Sequence, residues 1–195
     1  MPAARESLLE AAGAAVAARP WTAVRMVDVA AAAGVSRQTL YNEFGGKAGL
    51  GRALVRREAE WYLAGVDRVL AGSAPGRVRL AGVAAWTVRA AGARPLVRAL
   101  LTGAWTPGLP PQRAAAGPGD LLRSVRDRAV AALGPAGSSP EHCELVVRLA
   151  LSYVVAPGVD QWEEPDSCRP MTPAMTRVIE TILRVETRSP RKTMP

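Results

Sequence analysis

The stretch VDVAAAAGVSRQTLYNEF, from Val27 to Phe44, predicts two short helices joined by a tight turn. Ala30 is small enough to let the two helices approach closely, and Gly34 suits a turn residue that needs positive φ. Ser36 directly precedes the second helix, where its hydroxyl can cap free backbone amides and contribute about 1 kcal/mol. The pattern is typical of a helix-turn-helix. Its small shared core is expected to contain Val29, Ala33, Val35 and Leu40.

The second of these helices carries a polar face. Arg and Gln side chains can each pair with a purine through two hydrogen bonds in the major groove, which gives about 1–3 kcal/mol of discrimination against a wrong base. The pattern therefore predicts a recognition helix, and the alternative is a solvated face on a helical hairpin. The residues on this face are Arg37, Gln38, Tyr41 and Asn42.

Basic residues are concentrated around the same segment. The 195-residue chain has a net charge of +8, and residues 19–57 hold seven basic side chains but only Asp28 and Glu43 as acidic ones. Such an excess favours a polyanionic partner, because it neutralises phosphates and releases counterions. Arg is far commoner than Lys, which a GC-rich coding sequence would also produce, so the distribution of charge carries more weight than its total.

The longer stretch from Val24 to Leu50, VRMVDVAAAAGVSRQTLYNEFGGKAGL, resembles the signature of the TetR (tetracycline repressor) family. In that signature AGVS, TLY, F, K and L recur at these intervals. The first helix and the corner Pro20-Trp21-Thr22 also fit, so the resemblance extends over roughly residues 5 to 55. It implies an N-terminal three-helix DNA-binding domain, followed by a helical domain for ligand binding and dimerisation.

The resemblance also implies a set of DNA contacts. Tyr41 would touch a phosphate through its hydroxyl, and Lys47 would approach the DNA backbone from the first turn of a long helix, where the helix dipole adds to its charge. Arg25 stands where the family usually has a capping Thr; a guanidinium cannot accept a bond from helix amides, so a weaker cap is expected while the phosphate contact is kept. The predicted DNA-binding residues are Arg25, Ser36, Arg37, Gln38, Thr39, Tyr41, Asn42 and Lys47.

The composition predicts an all-α fold, because Ala, Leu and Arg dominate segments separated by Gly and Pro, and strand signals are nearly absent. Residues 1–50 are predicted to form the DNA-binding domain, 51–188 the ligand-binding and dimerisation domain, and 189–195 a disordered tail. Helices are expected at 5–18, 27–33, 37–43, 47–71, 77–91, 94–103, 119–133, 141–156 and 173–187.

Two apolar stripes near the C-terminus are candidates for a dimer interface. Residues 144–156 are apolar on most sides, and residues 173–187 carry apolar residues at the spacing of a helix-packing seam. The resemblance implies a homodimer formed by the last two long helices. The two DNA-binding domains of this dimer would read the two halves of a palindromic double-stranded DNA operator. From the residues alone, packing inside the monomer is an equal alternative. The predicted interface residues are Val147, Leu151, Met175, Val178, Ile182 and Val185.

The resemblance further implies a pocket for a small-molecule effector among the middle helices. Aromatic and sulfur-containing side chains are the candidates, because an indole offers apolar area and one hydrogen-bond donor. Any single one of them is more often a core residue than a pocket residue. Few acidic residues occur in these helices, which favours a neutral or anionic apolar ligand. The candidate pocket residues are Trp61, Trp86, Trp105, Tyr153, Trp162 and Met171.

Other classes of function find less support in the sequence. An enzyme is not expected: the single histidine, His142, adjoins Cys143, and neighbouring side chains on a helix point about 100° apart. No glycine-rich phosphate loop or paired-histidine metal signature occurs, so no cofactor or metal is expected. The alternatives kept open are a redox- or metal-responsive regulator that uses Cys143 and Cys168, and a helical interaction module without DNA binding. No stretch is long and apolar enough to span a membrane, and a cytoplasmic location is expected.

Overall fold

The structure, a computed structural model, describes residues 2–111, 117–134 and 139–156. All regular elements in these ranges are helical, which confirms the all-α prediction, and each helix expected there begins and ends within three residues of its predicted bounds. The helix predicted at 173–187 and the tail at 189–195 lie outside the described residues. The helices are α1 (Pro2–Ala18), a short 3-10 helix (Trp21–Ala23), α2 (Met26–Ala32), α3 (Arg37–Phe44), α4 (Lys47–Leu70), α5 (Gly76–Ala93), α6 (Pro95–Thr102), α7 (Pro118–Leu133) and α8 (Pro140–Val155).

The helices group into two compact units. The first contains Met1–Tyr62 and Arg94–Leu121, and the second contains Leu63–Ala93 with the described residues after Leu121. These units are defined by packing, whereas the domains predicted at 1–50 and 51–188 are assignments of function and stay predictions.

The first unit is built around three mutually packed helices, α1, α2 and α3. Their contact faces are apolar at helical spacing, and burial of each large side chain contributes about 1.5–3 kcal/mol. The part of α4 up to Tyr62 supplies a second row of buried side chains, and Tyr62 itself is 0 % exposed. The buried residues of this core are Leu8, Leu9, Ala12, Val29, Ala30, Leu40, Phe44, Leu50, Leu54 and Val55.

The connection from α3 to α4 depends on glycine. Gly45 ends α3 with φ of 69°, in the left-handed region that favours a residue without a Cβ. Gly49 lies inside α4, and a Cβ built there would collide with the carbonyl oxygen of Phe44. The backbone of α4 therefore approaches the end of α3 more closely than any side chain at position 49 would allow.

Substitution of Gly49 with alanine is therefore expected to destabilise the chain by roughly 1–3 kcal/mol, since the contact can be relieved only by backbone movement. Alanine normally stabilises a helix by about 1 kcal/mol relative to glycine. Gly92, in α5, is the matched control because a Cβ there meets no atom within 4 Å. Urea unfolding should show Gly49→Ala less stable than the parent and Gly92→Ala at least as stable; two equal shifts would contradict the close approach.

In the second unit α5 packs along α8. Thr87 is fully buried in α5, and its hydroxyl is satisfied by donating to the Val83 carbonyl at 2.8 Å. Cys143 is also fully buried, so its thiol is withdrawn from solvent oxidants, which disfavours the redox alternative for this residue; Cys168 lies outside the described residues. Other buried side chains are Val66, Leu70, Leu80, Val83, Ala84, Ala90, Ala91, Leu122, Val125, Ala129, Val146, Ala150 and Val154.

Val147 requires a correction among the residues predicted for the dimer interface. It is 0 % exposed in a single chain, so it is a core residue and has no surface left to bury against a partner. Leu151 is half-buried, and the exposed apolar side chains of α8 are instead Leu145 and Val155, at 40 % and 65 % exposure. The apolar run predicts that much of α8 is buried, but it does not show which of its apolar side chains lie in the core and which are exposed. Met175, Val178, Ile182 and Val185 lie outside the described residues.

Within the residues that the structure describes, no helix combines the length and the apolar character that a membrane span requires.

Candidate nucleic-acid interface

A tight turn between α2 and α3 sets the geometry of the site. Gly34 adopts φ of 66° although a Cβ there would meet nothing within 4 Å, so the requirement for glycine is conformational and not steric. The Val35 amide donates to the Ala30 carbonyl at 3.0 Å, and Ala30 is 1 % exposed where the helices meet. The predicted roles of Ala30 and Gly34 are confirmed.

Ser36 fixes the start of α3. Its Oγ accepts a hydrogen bond from the Thr39 amide at 3.0 Å and lies 2.9 Å from the Thr39 hydroxyl. The predicted cap is thus present, and Thr39 is half-buried and engaged with Ser36. Because the first turn of α3 is held in this way, the side chains of Arg37 and Gln38 leave the helix in defined directions.

The two faces of α3 differ sharply. Leu40 and Phe44 point into the core, at 0 % and 9 % exposure, while Tyr41 on the other side is 42 % exposed. Gln38 Nε2 donates to Asn42 Oδ1 at 2.9 Å, so the two amides one helical turn apart form a single hydrogen-bonded pair. This pair retains a free acceptor on Gln38 and a free donor group on Asn42, which is the combination that an adenine edge requires. Arg37, Gln38, Tyr41 and Asn42 are all exposed, as predicted.

Arg25 and Lys47 flank this face. Arg25 is the N-cap residue of α2, is exposed, and makes no side-chain cap hydrogen bond, in agreement with the weaker cap expected from its guanidinium. Lys47 begins α4, and its Nζ donates to the Thr22 carbonyl at 3.1 Å. The Lys47 ammonium also lies 5.3 Å from the centroid of the Trp21 ring.

The positive charge around α2, α3 and the start of α4 depends on which arginines form ion pairs with acidic side chains. Arg19 pairs with Asp28 at 3.3 Å, and Arg57 pairs with Glu6 at 2.6 Å, so both are locally neutralised. The remaining arginines of residues 19–57 form no ion pair with any described acidic residue, and all of them are exposed. Unpaired guanidinium groups are what a phosphate backbone attracts. These residues are Arg25, Arg37, Arg52 and Arg56.

Two contacts of this site were not assigned from the sequence. The Arg5 guanidinium of α1 lies 4.8 Å from the centroid of the Phe44 ring and so closes over the end of α3. Trp21, which the resemblance places in a corner before α2, contacts Lys47. Both contacts join residues more than twenty positions apart, so no local pattern indicates them.

The predicted pocket residues that the structure describes divide between the two packing units. Trp61 and Trp105 belong to the first packing unit, and Trp86 and Tyr153 belong to the second. Trp61 is covered by the Arg94 guanidinium, 3.8 Å from its ring centroid, whereas Trp86 packs its ring against Gly65. Trp162 and Met171 lie outside the described residues.

Trp105 differs from the other candidates in its hydrogen bonding. Its side-chain Nε1 is buried and has no hydrogen-bond partner within the described part of the chain. A buried donor without a partner is unfavourable by about 1–3 kcal/mol, and a ligand acceptor would satisfy it.

Comparisons with known proteins agree with this geometry. The model of the N-terminal region of the tetR family of bacterial regulatory proteins matches residues 8–54. The HTH-type transcriptional regulator AlkX of Mycobacterium tuberculosis is 33 % identical over 193 residues, with 89 % of this chain and 85 % of that protein covered.

Solved structures show the same fold. The transcriptional regulator FadR from Bacillus subtilis, in complex with stearoyl-CoA, matches with a TM-score of 0.54 at 12 % identity and covers 92 % of this chain and 96 % of its own. The TetR family regulator PfmR from Thermus thermophilus matches with a TM-score of 0.52 at 17 % identity, over 91 % of this chain and 97 % of its own. With one third of its residues shared with AlkX over most of both chains, and with a capped, exposed recognition helix, the chain belongs to the TetR family of DNA-binding bacterial transcriptional regulators.

Proposed function

We propose that this regulator is a repressor that binds a palindromic operator as a homodimer and leaves the DNA when a small apolar molecule binds. The observation that supports DNA reading most strongly is the division of α3, with Leu40 and Phe44 buried and Gln38, Tyr41 and Asn42 exposed. A helix capped at its first residue and polar on its free face fits the major groove of duplex DNA. Because it would bind chromosomal DNA, the protein would act in the cytoplasm.

In this proposal the residues of the interface divide into two roles. The hydrogen-bonded pair Gln38 and Asn42 reads base edges, because amides match the donor and acceptor pattern of adenine. The remaining residues position the DNA-binding domain on the phosphate backbone of the DNA. Arg37 and Tyr41 do so from α3, Arg25 from the residue before α2, and Lys47 from the start of α4. The positioning residues are Arg25, Ser36, Arg37, Thr39, Tyr41 and Lys47.

Dimerisation is supported by the uncovered face of α8. Leu145 and Val155 share this face, are ten residues apart, and are both exposed. These two apolar side chains, on a face of α8 that also carries the exposed Arg148 and Ser152, favour contact with another helix, and an isologous contact would place two recognition helices about a two-fold axis. Half-buried Leu151 would join this contact, together with the seam predicted at 173–187.

The chemistry of the proposed effector is supported by charge and by one unsatisfied donor. Helix α6, which precedes Trp105 in the same packing unit, contains no acidic residue, so it favours a neutral or anionic ligand over a cationic one. The Trp105 indole offers a buried N–H without a partner among the described residues, which an oxygen-bearing ligand would satisfy.

The proposal is tested by measuring DNA binding and oligomeric state together. We expect one palindrome in the DNA flanking the gene to bind tightly, and its affinity to fall about a thousandfold or more between 50 and 200 mM salt, as several phosphate contacts require. Light scattering should report a dimer at the same protein concentration. Weak, equal binding to every duplex would contradict operator recognition, and a monomer that still binds one palindrome tightly would contradict the dimer.

A further inference from the structure

Trp21 holds a fixed position in the first packing unit. It is 5 % exposed, and its backbone amide donates to the Gly108 carbonyl at 2.7 Å. Its ring packs against α4 so tightly that a Cβ built on Gly51 would lie 3.1 Å from Trp21 Cζ2 and equally close to Pro110 Cβ. The ring is thus packed against α4, and the Trp21 backbone is tied to the segment that follows α6, so the indole has little freedom to move.

The Lys47 side chain is held by this corner. Its ammonium lies 5.3 Å from the centroid of the Trp21 ring, within the range of a cation–π attraction, and it donates one hydrogen bond to the Thr22 carbonyl. An ammonium has three donors, so two remain for another acceptor. Lys47 is also the first residue of α4, where the free backbone amides favour an anion.

We propose that Trp21 is a positioning residue for DNA binding, which holds the Lys47 ammonium in place for a backbone phosphate. The inference rests on the proposed contact of Lys47 with that phosphate. A free lysine loses side-chain conformational freedom when it binds a phosphate, and a lysine that is already held loses less. The indole face attracts the cation electrostatically, which an aliphatic side chain of similar size does not do.

A purely structural role for Trp21 makes a different prediction. If the ring served only to pack the corner, its removal would weaken DNA binding by the same factor whatever residue stands at position 47. If the ring acts through the Lys47 ammonium, its removal has no further effect once that charge is gone. The two roles are therefore separated by a double-mutant cycle.

The experiment measures binding of the full chain to a fluorescent duplex of mixed sequence, about two helical turns long, by anisotropy at two salt concentrations. Lys47→Met keeps the aliphatic stem and should weaken binding about tenfold, with a salt slope lower by about one. Trp21→Leu should weaken binding about three- to fivefold in the parent, but by less than about 1.5-fold in the Lys47→Met background. Trp21→Phe, which retains an aromatic face, should recover most of the loss.

Thermal unfolding of every variant shows whether it is folded at the assay temperature. If Trp21→Leu does not fold, Trp21→Met replaces it in the cycle, because its longer, flexible side chain fills more of the same space and has no aromatic face. Equal factors in the two backgrounds, or a Trp21→Phe variant as weak as Trp21→Leu, would overturn the positioning role. Absence of any salt-dependent binding by the parent chain would instead count against the proposed function.

Discussion

Replacement of both Gln38 and Asn42 with alanine is expected to lower affinity for the operator about a hundredfold or more, while affinity for DNA of mixed sequence changes by less than about threefold. The two amides form one hydrogen-bonded pair on the exposed face of α3. Each base-reading contact gives about 1–3 kcal/mol of discrimination, and neither amide contributes charge to the binding of phosphates. The double variant should therefore lose its preference for the operator and keep its affinity for DNA of mixed sequence.

The informative control is Lys47→Met, which removes a charge that any duplex attracts. It should weaken operator and mixed-sequence binding by similar factors and reduce the salt slope by about one. The ratio of the two affinities, measured by anisotropy at one salt concentration, distinguishes these results. If the double alanine variant lost both kinds of binding equally, the exposed face of α3 would not be the surface that reads sequence.

Arg94→Met is expected to destabilise the protein by roughly 2–4 kcal/mol, because it leaves the carboxylate of Glu58 buried without its partner. Glu58, in α4, is 5 % exposed, and its Oε1 accepts a hydrogen bond from Arg94 Nη1 at 2.8 Å. Arg94 immediately precedes α6 and also covers the Trp61 ring at 3.8 Å. The Arg94 side chain is 37 % exposed, so water limits the loss relative to a fully buried pair.

Two further variants show whether the buried charge is responsible. The double variant Glu58→Met, Arg94→Met removes both charges and should recover most of the stability, as hydrophobic replacement of a buried pair does. Arg148→Met breaks the surface pair with Glu144, in which the Arg148 and Glu144 side chains are 61 % and 31 % exposed, and should change the stability by less than about 1 kcal/mol. Urea unfolding curves provide the comparison; a double variant as unstable as Arg94→Met alone would show that packing on Trp61 is the cause instead.

The helices and the turn could be predicted because the interactions that form them are local. The cap of α3 joins Ser36 to Thr39, three residues apart, and the turn between α2 and α3 needs positive φ at Gly34 alone. Apolar residues at helical spacing mark which face of each helix is buried. These features depend on residue type and short spacing, so the sequence predicts them without knowledge of the rest of the chain.

Contacts between residues distant in the sequence could not be predicted in this way. The periodicity of α8 indicates that Val147 is buried, but only the packing of α5 along α8 shows that the chain's own core covers it. By residue type Trp61 is compatible with a pocket as well as with a core, and it is Arg94, 33 positions further along the chain, that covers its ring. For the same reason, the sequence does not show which of the predicted pocket residues lie close together.

The amino-acid sequence by itself determined the all-helical fold, the helix-turn-helix and the polar face of its second helix, because backbone conformation, capping and amphipathic spacing are set within a few neighbouring residues. Only the tertiary structure decided which charges are neutralised, which carboxylate is buried, and that Lys47 rests against Trp21. Those outcomes depend on side chains that meet after the helices pack, and their separation along the chain carries no periodic signal.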